Sequence, residues 1–415
     1  MLFGGIEAGG TKISLCVGKD GEVDEKITIP TKTPKETLPL IVDFFKKHNE
    51  KDALKGIGIA CFGPVDAHPT SSNYGTILAT PKLDWKNYPL RKELKKHFSM
   101  PIYLDTDVNG AAFGEYKYGA AKDLDTFLYM TVGTGIGVGA IISHNMLHGL
   151  LHAEMGHMIV PKRDDDNFEG VCPYHKNCLE ALASGPSMCK RWDVKQATDL
   201  PSDHKAWDLE AYYLGIGITN MILCTSPQKI IIGGGVMFHS ELFPMIRKYV
   251  KDFLGGYISH KKILENIDEY IVPPALEDQS GIIGALALAE KAYMDETQNQ
   301  AGRIYERPWG SYETLKMQPK AQVKWIKIKP KHKLSLQKHK KRSENWVVVK
   351  GHPTITVGEN VKEYSPTEMI FIPIDAKHRI ENNKDEEAIV VEVQTGDYLG
   401  EDDIIRLEDK YGRAT

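Results

Sequence analysis

The sequence predicts an α/β architecture for residues 1–295 and a separate all-β unit for residues 303–415. Three observations carry this reading. Up to about residue 290, short apolar runs alternate with helical patterns, as strands joined by helices do. Between Lys291 and Ile304 the text turns polar, as at a helix end followed by a linker. Beyond it, strand-like pieces broken by Pro and Gly follow one another with little helical periodicity.

In chain order, Ile57–Cys61, Ile102–Leu104, Thr126–Val132 and Lys229–Ile232 read as strands. Thr37–Lys47, Asn109–Tyr118 and Ala206–Thr225 carry helical patterns. In the second unit Val323–Ile328, Asn345–Val349 and Ala388–Val393 read as strands. The uncharged stretch Thr126 to Ser143 is long enough to raise a membrane span. Gly133, Gly135, Gly137 and Gly139 alternate within it, however, and suit a strand, a turn and a strand better than a lipid-facing helix. No membrane contact is expected.

Composition narrows the function. The 415 residues hold 52 Lys+Arg and 56 Asp+Glu, a net charge of −4, and a 41% hydrophobic fraction that supports real cores. Such a balance excludes a polycationic nucleic-acid binder and points to small molecules. Six cysteines are too few for a disulfide scaffold and fit a reducing cytoplasm. Cys16, Cys61 and Cys224 lie in apolar runs and read as small hydrophobes. No secretory leader pattern opens the chain. Residues 299–415 carry 21 basic and 18 acidic residues, a net +3, which leaves −7 for residues 1–298. The excess base sits in Lys327–Arg342, read as a solvated strand face or an anionic-substrate funnel.

Glycine turns dominate the first unit. Gly4-Gly5-Ile6-Glu7-Ala8-Gly9-Gly10-Thr11-Lys12 places flexible backbone, a hydroxyl and a cation together. A second turn, Gly133-Thr134-Gly135, and a third, Gly233-Gly234-Gly235, follow strand-like runs. Three such turns suggest a duplicated fold that clasps a nucleotide between its halves. Between the first two lies Asp105-Thr106-Asp107-Val108-Asn109, at a strand end that leads into a helix. Asp105 is expected to cap that helix. Asp107 and Asn109 are expected to face a hydroxylated ligand, with Asp107 as general base. Cys172, His175 and Cys178, in a Cys-x2-His-x2-Cys spacing with His157 upstream, form the soft donor set of a closed tetrahedral zinc site.

These residues resemble the ROK family of sugar kinases, bacterial members of the actin-like (ribonuclease H-like), hexokinase-type ATPases. The fructokinase-like branch fits best, on Cys172-Pro173-Tyr174-His175 and on Thr80-Pro81-Lys82-Leu83-Asp84-Trp85. The resemblance implies a two-lobed α/β kinase that binds ATP, Mg²⁺ and a hexose, and that forms homodimers. By it, Gly9, Gly10, Thr11 and Lys12 hold the ATP phosphates with Gly133, Thr134 and Gly135. Gly233, Gly234 and Gly235 lie by the adenosine. Asp107 takes the proton of the attacking sugar hydroxyl, and Asn109, Glu154, His157 and Glu180 bind the sugar. His157 then serves both zinc and sugar, one ring nitrogen to each. Thr106 departs from the Asn more usual in the family.

In the second unit, strand alternation puts Ser335, Gln337 and His339 on one face. Gln337, His339, Glu344 and His378 form a set suited to Zn²⁺ or another divalent ion acting on an oxygen-rich substrate. This stretch resembles the cupin domain, a small jelly-roll barrel, of mannose-6-phosphate isomerases. The signature is Glu392-Val393-Gln394-Thr395-Gly396-Asp397-Tyr398-Leu399-Gly400-Glu401-Asp402-Asp403-Ile404, ending in Tyr411-Gly412-Arg413. Asn345 and Lys331 stand where that family usually has His and Gly. The resemblance implies interconversion of fructose 6-phosphate and mannose 6-phosphate, with the basic stretch around Arg342 drawing in the phosphate.

Together the halves read as a hexose kinase fused to an isomerase. Two other readings are weighed. A DNA-binding repressor of the ROK type carries a helix-turn-helix ahead of the kinase-like fold, and here the first glycine turn begins at Gly4. A cupin that only binds sugar or dimerises does not need all four metal-set residues.

Overall fold

The computed structural model describes every residue except 81, 298–300, 303, 319 and 412–415. Pro81 of the kinase motif, Gly412 and Arg413 of the isomerase signature, and part of the expected linker therefore lie outside the described residues. The chain forms two units, Met1–Tyr293 and Met294–Thr415. The polar stretch after Lys291 begins as the end of a helix, Ser280–Thr297.

The first unit holds two five-stranded sheets. One contains β1 (Phe3–Ala8), β2 (Lys12–Lys19), β3 (Glu22–Pro30), β4 (Ile57–Cys61) and β5 (Ile102–Thr106). The other contains β6 (Phe127–Val132), β7 (Ile136–Ile142), β8 (Asn145–Met146), β9 (Ile230–Gly233) and β10 (Ile271–Val272). Their strand orders are β3-β2-β1-β4-β5 and β8-β7-β6-β9-β10, the same path twice. In each, the first strand pairs antiparallel with the second and parallel with the fourth. The duplication expected from three glycine turns is thus present in the topology. Parallel strands covered on both faces read as continuous apolar runs, and β4 and β5 are buried throughout.

The first two turns join β1 to β2 and β6 to β7, and the third follows β9, so all three gather at strand ends. Gly234 adopts φ +97°, and a Cβ there would lie 2.4 Å from the Val132 carbonyl oxygen. The alternating glycines of β7 have a packing cause: a Cβ on Gly139 would meet the Val108 carbonyl oxygen at 2.1 Å. β7 is therefore the bed on which the helix Asp107–Tyr118 starts. Among the described residues no helix is long and apolar enough to cross a membrane.

One sequence expectation needs correction here. Cys16 and Cys61 are buried, but Cys224 is exposed. It lies near the end of the helix Ala206–Thr225, which is apolar almost all round, so its sequence period does not reveal the outward side.

The second unit is all-β. One sheet runs β11 (Ile304–Arg307), β12 (Gly310–Gln318), β13 (Ala321–Ile328), β21 (Ala388–Gly396), β16 (Arg342–Lys350) and β19 (Met369–Ile372). The other contains β18 (Asn360–Glu363), β17 (Thr354–Val357), β20 (His378–Asn382), β15 (Leu336–Lys338) and β22 (Ile405–Glu408), with β14 (His332–Lys333) paired to β20. Both sheets feed one core, in which Ile328, Trp346 and Val390 of the first meet Ile355 and Ile380 of the second. This is the double-sheet barrel of a cupin. Lys331, at the position where that family usually has glycine, takes φ +60°.

Candidate active sites

In the first unit, Lys12, Asp107 and Gly233–Gly235 line one cleft of about 940 Å³. Glu7, Tyr129 and Ser280 face the same space. Gly9, Gly10 and Thr11 form the β1–β2 turn, closed by Gly9 N donating to Lys12 O at 3.0 Å. Gly133, Thr134 and Gly135 form the β6–β7 turn, where Gly133 N donates to Gly135 O at 2.9 Å. The second and third turns adjoin, since a Cβ on Gly133 would come within 3.9 Å of Gly235 N.

Asp107 opens its helix. Thr106 is the N-cap, its hydroxyl accepting from Asn109 N at 3.1 Å. Burial pushes the Asp107 carboxyl up to about 6, with the charges of Glu7 and Glu154 adding to the rise. A carboxylate in that range is tuned toward taking a proton near neutral pH.

Two expectations fail at this point. Asp105 does not cap the helix; it is fully buried, accepts from Thr106 N and Asn109 Nδ2 at 2.8 Å, and lies 2.8 Å from His148 Nε2. Asn109 does not face the ligand space. Its amide is spent inside the protein, donating to Asp105 and accepting from Ala140 N at 3.3 Å. Only one of two residues spaced by two at a helix start can face the cleft, and Asp107 takes that place.

Of the remaining sugar-ligand candidates, His157 belongs to the cysteine knot and Glu180 adjoins it. His157 Nδ1 lies 3.6 Å from Cys178 Sγ and 3.8 Å from Cys172 Sγ, and His175 Nδ1 lies 3.9 Å from Cys172 Sγ. Donor atoms of all four residues lie within 4.8 Å of one another. A tetrahedron with bonds of about 2.0–2.3 Å has edges in the same range, so the donor set fits zinc. Burial, reinforced by Cys172, pushes the Cys178 thiol up to about 11, so metal binding there releases a proton. The other nitrogen of His157, Nε2, faces Glu180 Oε1 at 3.9 Å. Glu180 Oε2 accepts from Ile136 N at 2.9 Å, tying this group to the β6–β7 turn. Glu154 is exposed and its Oε1 lies 3.4 Å from His152 Nδ1.

In the second unit, His339 Nε2 lies 3.1 Å from Glu344 Oε1, His378 Nε2 lies 3.6 Å from Glu344 Oε2, and Gln337 Nε2 lies 3.5 Å from His339 Nε2. The sequence set is thus brought together from β15, the turn after it, β16 and β20. His378 Nδ1 bonds the Ala376 carbonyl at 2.9 Å, which leaves Nε2 as the bare nitrogen, buried without a hydrogen-bond partner. Burial holds His378 below the usual histidine range. Burial alone would raise Glu344, but His339, His378 and Arg342 overcome it and hold its carboxyl well below the usual range. Bare imidazole and ionised carboxylate converging in a dry site suit a divalent cation.

Beside this set stand Glu392 and Gln394, to which the sequence reading gave no site role, and Arg342, which it read only as part of a basic run. Arg342 is not part of a solvated face; it is buried, 3.3 Å from Glu344 Oε1, with Nη1 donating to Gly400 O at 2.8 Å. Glu392 and Gln394 point inward from β21, while Val391 and Val393 alternate with them on the less buried face. Glu392 accepts from Trp346 Nε1 at 3.0 Å and from Gln394 Nε2 at 2.9 Å. The signal was present as period-two alternation, with apolar side chains on the wrong face for a simple core.

Two lobes of repeated topology around a cleft, fronted by glycine turns and a helix-borne aspartate, are the architecture of actin-like sugar kinases. The chain belongs to the ROK family, whose model matches residues 3–292. A second model, described as mannose-6-phosphate isomerase C-terminal, matches residues 294–409. Over 293 residues the chain is 42% identical to the fructokinase of Pediococcus pentosaceus, covering 70% of this chain and 99% of that protein. Over 120 residues it is 48% identical to the alginate biosynthesis protein AlgA of Pseudomonas fluorescens, covering 29% of this chain and 24% of that one. The ROK hexokinase from Thermus thermophilus shares the fold, with a TM-score of 0.58 and 24% identity over 71% of this chain and all of its own.

Proposed function

We propose that the chain is a bifunctional sugar enzyme. The first unit, residues 1–295, transfers the γ-phosphoryl group of ATP to the 6-hydroxyl of fructose or mannose. The second, residues 303–415, interconverts fructose 6-phosphate and mannose 6-phosphate. The observation that carries this reading is the presence in one chain of a cleft holding Lys12 and Asp107 and of a buried Gln337, His339, Glu344 and His378 set. The product of the first reaction is the substrate of the second.

In the kinase, Asp107 takes the proton as the sugar oxygen attacks phosphorus, and Lys12 and the glycine turns hold the phosphates. Mg²⁺ brought in with ATP would screen the charge of the transferred group. Glu154, His157 and Glu180 hold the sugar hydroxyls; Asn109 instead positions the start of the helix through Asp105. His157, Cys172, His175 and Cys178 would hold a structural Zn²⁺, which would fix the His157 ring. In the isomerase, Gln337, His339, Glu344 and His378 would hold a divalent ion, Zn²⁺ among the candidates, which polarises the oxygens on C1 and C2. The four cysteines outside the knot, Cys16, Cys61, Cys189 and Cys224, are free thiols, which supports a reducing, cytoplasmic setting. A homodimer belongs to the same proposal.

The test supplies fructose, ATP and Mg²⁺ to the full chain and follows sugar phosphates over time. Fructose 6-phosphate should appear first and mannose 6-phosphate after it. A chain that never interconverts the two phosphates in metal-replete buffer has a cupin that binds without turnover.

A further inference from the structure

Four cations and two acidic side chains line the cavity beside the cupin metal set: Arg307, Lys324, Arg342 and Arg406 with Glu392 and Glu401. Two of the cations are matched. Lys324 Nζ lies 2.7 Å from Glu401 Oε1 and 3.8 Å from Glu392 Oε2. Arg342 is held by Glu344 and the Gly400 carbonyl. The other two have no carboxylate among the described residues. Arg307 donates to its neighbour's carbonyl, Glu306 O, and at 3.2 Å to the Tyr312 hydroxyl. The Arg406 side chain has no hydrogen-bond or ion-pair partner among the described residues, and its Nε is buried.

A buried guanidinium N–H without an acceptor costs stability, so such a group marks a place where a ligand supplies the acceptor. The position of Arg406 is set by the sheet. β22 pairs with β15, and Arg406 stands directly opposite the metal-set residue Gln337. Directly opposed residues have Cβ atoms about 4.5–5.5 Å apart. The guanidinium fork matches two oxygens of a tetrahedral oxyanion, which a lone ammonium cannot do.

We propose that Arg406 and Arg307 form a clamp for the phosphoryl group of a sugar phosphate whose carbonyl end lies at Gln337, His339, Glu344 and His378. The carbonyl end rests on the isomerase reading; the anion preference of the two arginines does not. A free hexose lacks the group the clamp binds, so phosphorylation must precede isomerisation.

The test is steady-state isomerase kinetics with fructose 6-phosphate on the full, metal-loaded chain. Arg406→Gln should raise KM by about ten- to a hundredfold while kcat moves far less. Arg406→Lys should recover part of the loss. Inorganic phosphate should inhibit the wild type competitively, and its inhibition constant should weaken in Arg406→Gln by a similar factor. Unchanged KM and unchanged phosphate inhibition overturn the clamp, as does a fall in kcat at constant KM, which would place Arg406 in the chemistry instead. Melting curves report folding, and Arg307→Gln carries the same test if Arg406→Gln does not fold. If the wild type has no isomerase turnover, that reading fails by itself. Calorimetric titration of inorganic phosphate into wild type and Arg406→Gln then decides the clamp: weaker binding by the variant supports it and equal binding overturns it.

Discussion

His157 and Glu180 face each other across 3.9 Å, Nε2 to Oε1, while the same imidazole turns Nδ1 to the sulfurs of Cys172 and Cys178. Glu180 in turn holds the β6–β7 turn through Ile136 N. The cysteine knot, two of the proposed sugar ligands and a proposed phosphate turn are therefore one chain of contacts. On the proposed reading, a metal in the knot would orient a substrate ligand without entering the chemistry.

Metal removal should then act on sugar binding first. Stripping the knot with a strong chelator should raise the KM for fructose by about tenfold or more, with a smaller effect on the KM for ATP. Added Zn²⁺ should reverse the loss, and Cys178→Ala should reproduce it. Equal effects on the two substrates would mean that the knot supports the fold in general and not His157 in particular.

The raised carboxyl of Asp107 gives the kinase a pH signature. Burial, with Glu7 and Glu154 adding repulsion, sets it at about 6. A general base works only when deprotonated, so kcat/KM should climb with a one-proton slope through about pH 6 and level off above it. Glu154→Gln removes one repelling charge and should move the midpoint down. Asp107→Asn should lower kcat by about 10²–10⁴-fold and leave added hexose 6-phosphates interconverting. Full kinase activity in that variant removes Asp107 from the role.

The neighbouring pair Asp105–His148 makes a stability prediction. Burial alone would lower His148, but the hydrogen bond and charge of Asp105 raise it above its usual value. The folded state therefore binds the proton more tightly than the unfolded one. Its contribution is complete below the unfolded value of about 6.5 and is lost as pH rises through the folded one. Denaturant melts of wild type and His148→Gln should differ more at about pH 5.5 than at about pH 8.5. A difference that grows with pH would contradict the pairing.

Much of this architecture was legible in the sequence because it is written in local patterns. The strand at Ile57–Cys61 and the glycine turns follow from short apolar runs and backbone freedom, and the helix Ala206–Thr225 from the length of its apolar run rather than from its period. The knot was legible because its spacing is close to a metal's own requirement. Asn109 was misread because a helix start shows two polar side chains in sequence but only packing against β7 decides which turns inward. Of the two readings of the basic run, the solvated face fails at Arg342, because a charge looks solvated in sequence until the carboxylate that matches it, Glu344, is placed beside it. Arg406 carried no local signal; its position opposite Gln337 depends on a pairing between strands far apart in the chain.

Two neighbouring glutamates in the cupin should behave in opposite ways. Glu344 is ionised because two histidines and Arg342 overcome the cost of its burial. Burial pushes Glu392 up to about 8, and the charge of Glu344 adds to the rise, so near neutral pH Glu392 is largely protonated. A glutamine imitates a protonated carboxyl but not a carboxylate. Glu344→Gln should therefore weaken divalent-metal binding by about a hundredfold or more and abolish isomerisation, leaving the kinase running. His339→Ala should do likewise. Glu392→Gln should keep the melting temperature and the metal affinity at pH 7 near the wild-type values. Metal titrations on the three variants check this, and a large loss of affinity in Glu392→Gln would show that Glu392 is ionised and belongs to the metal set.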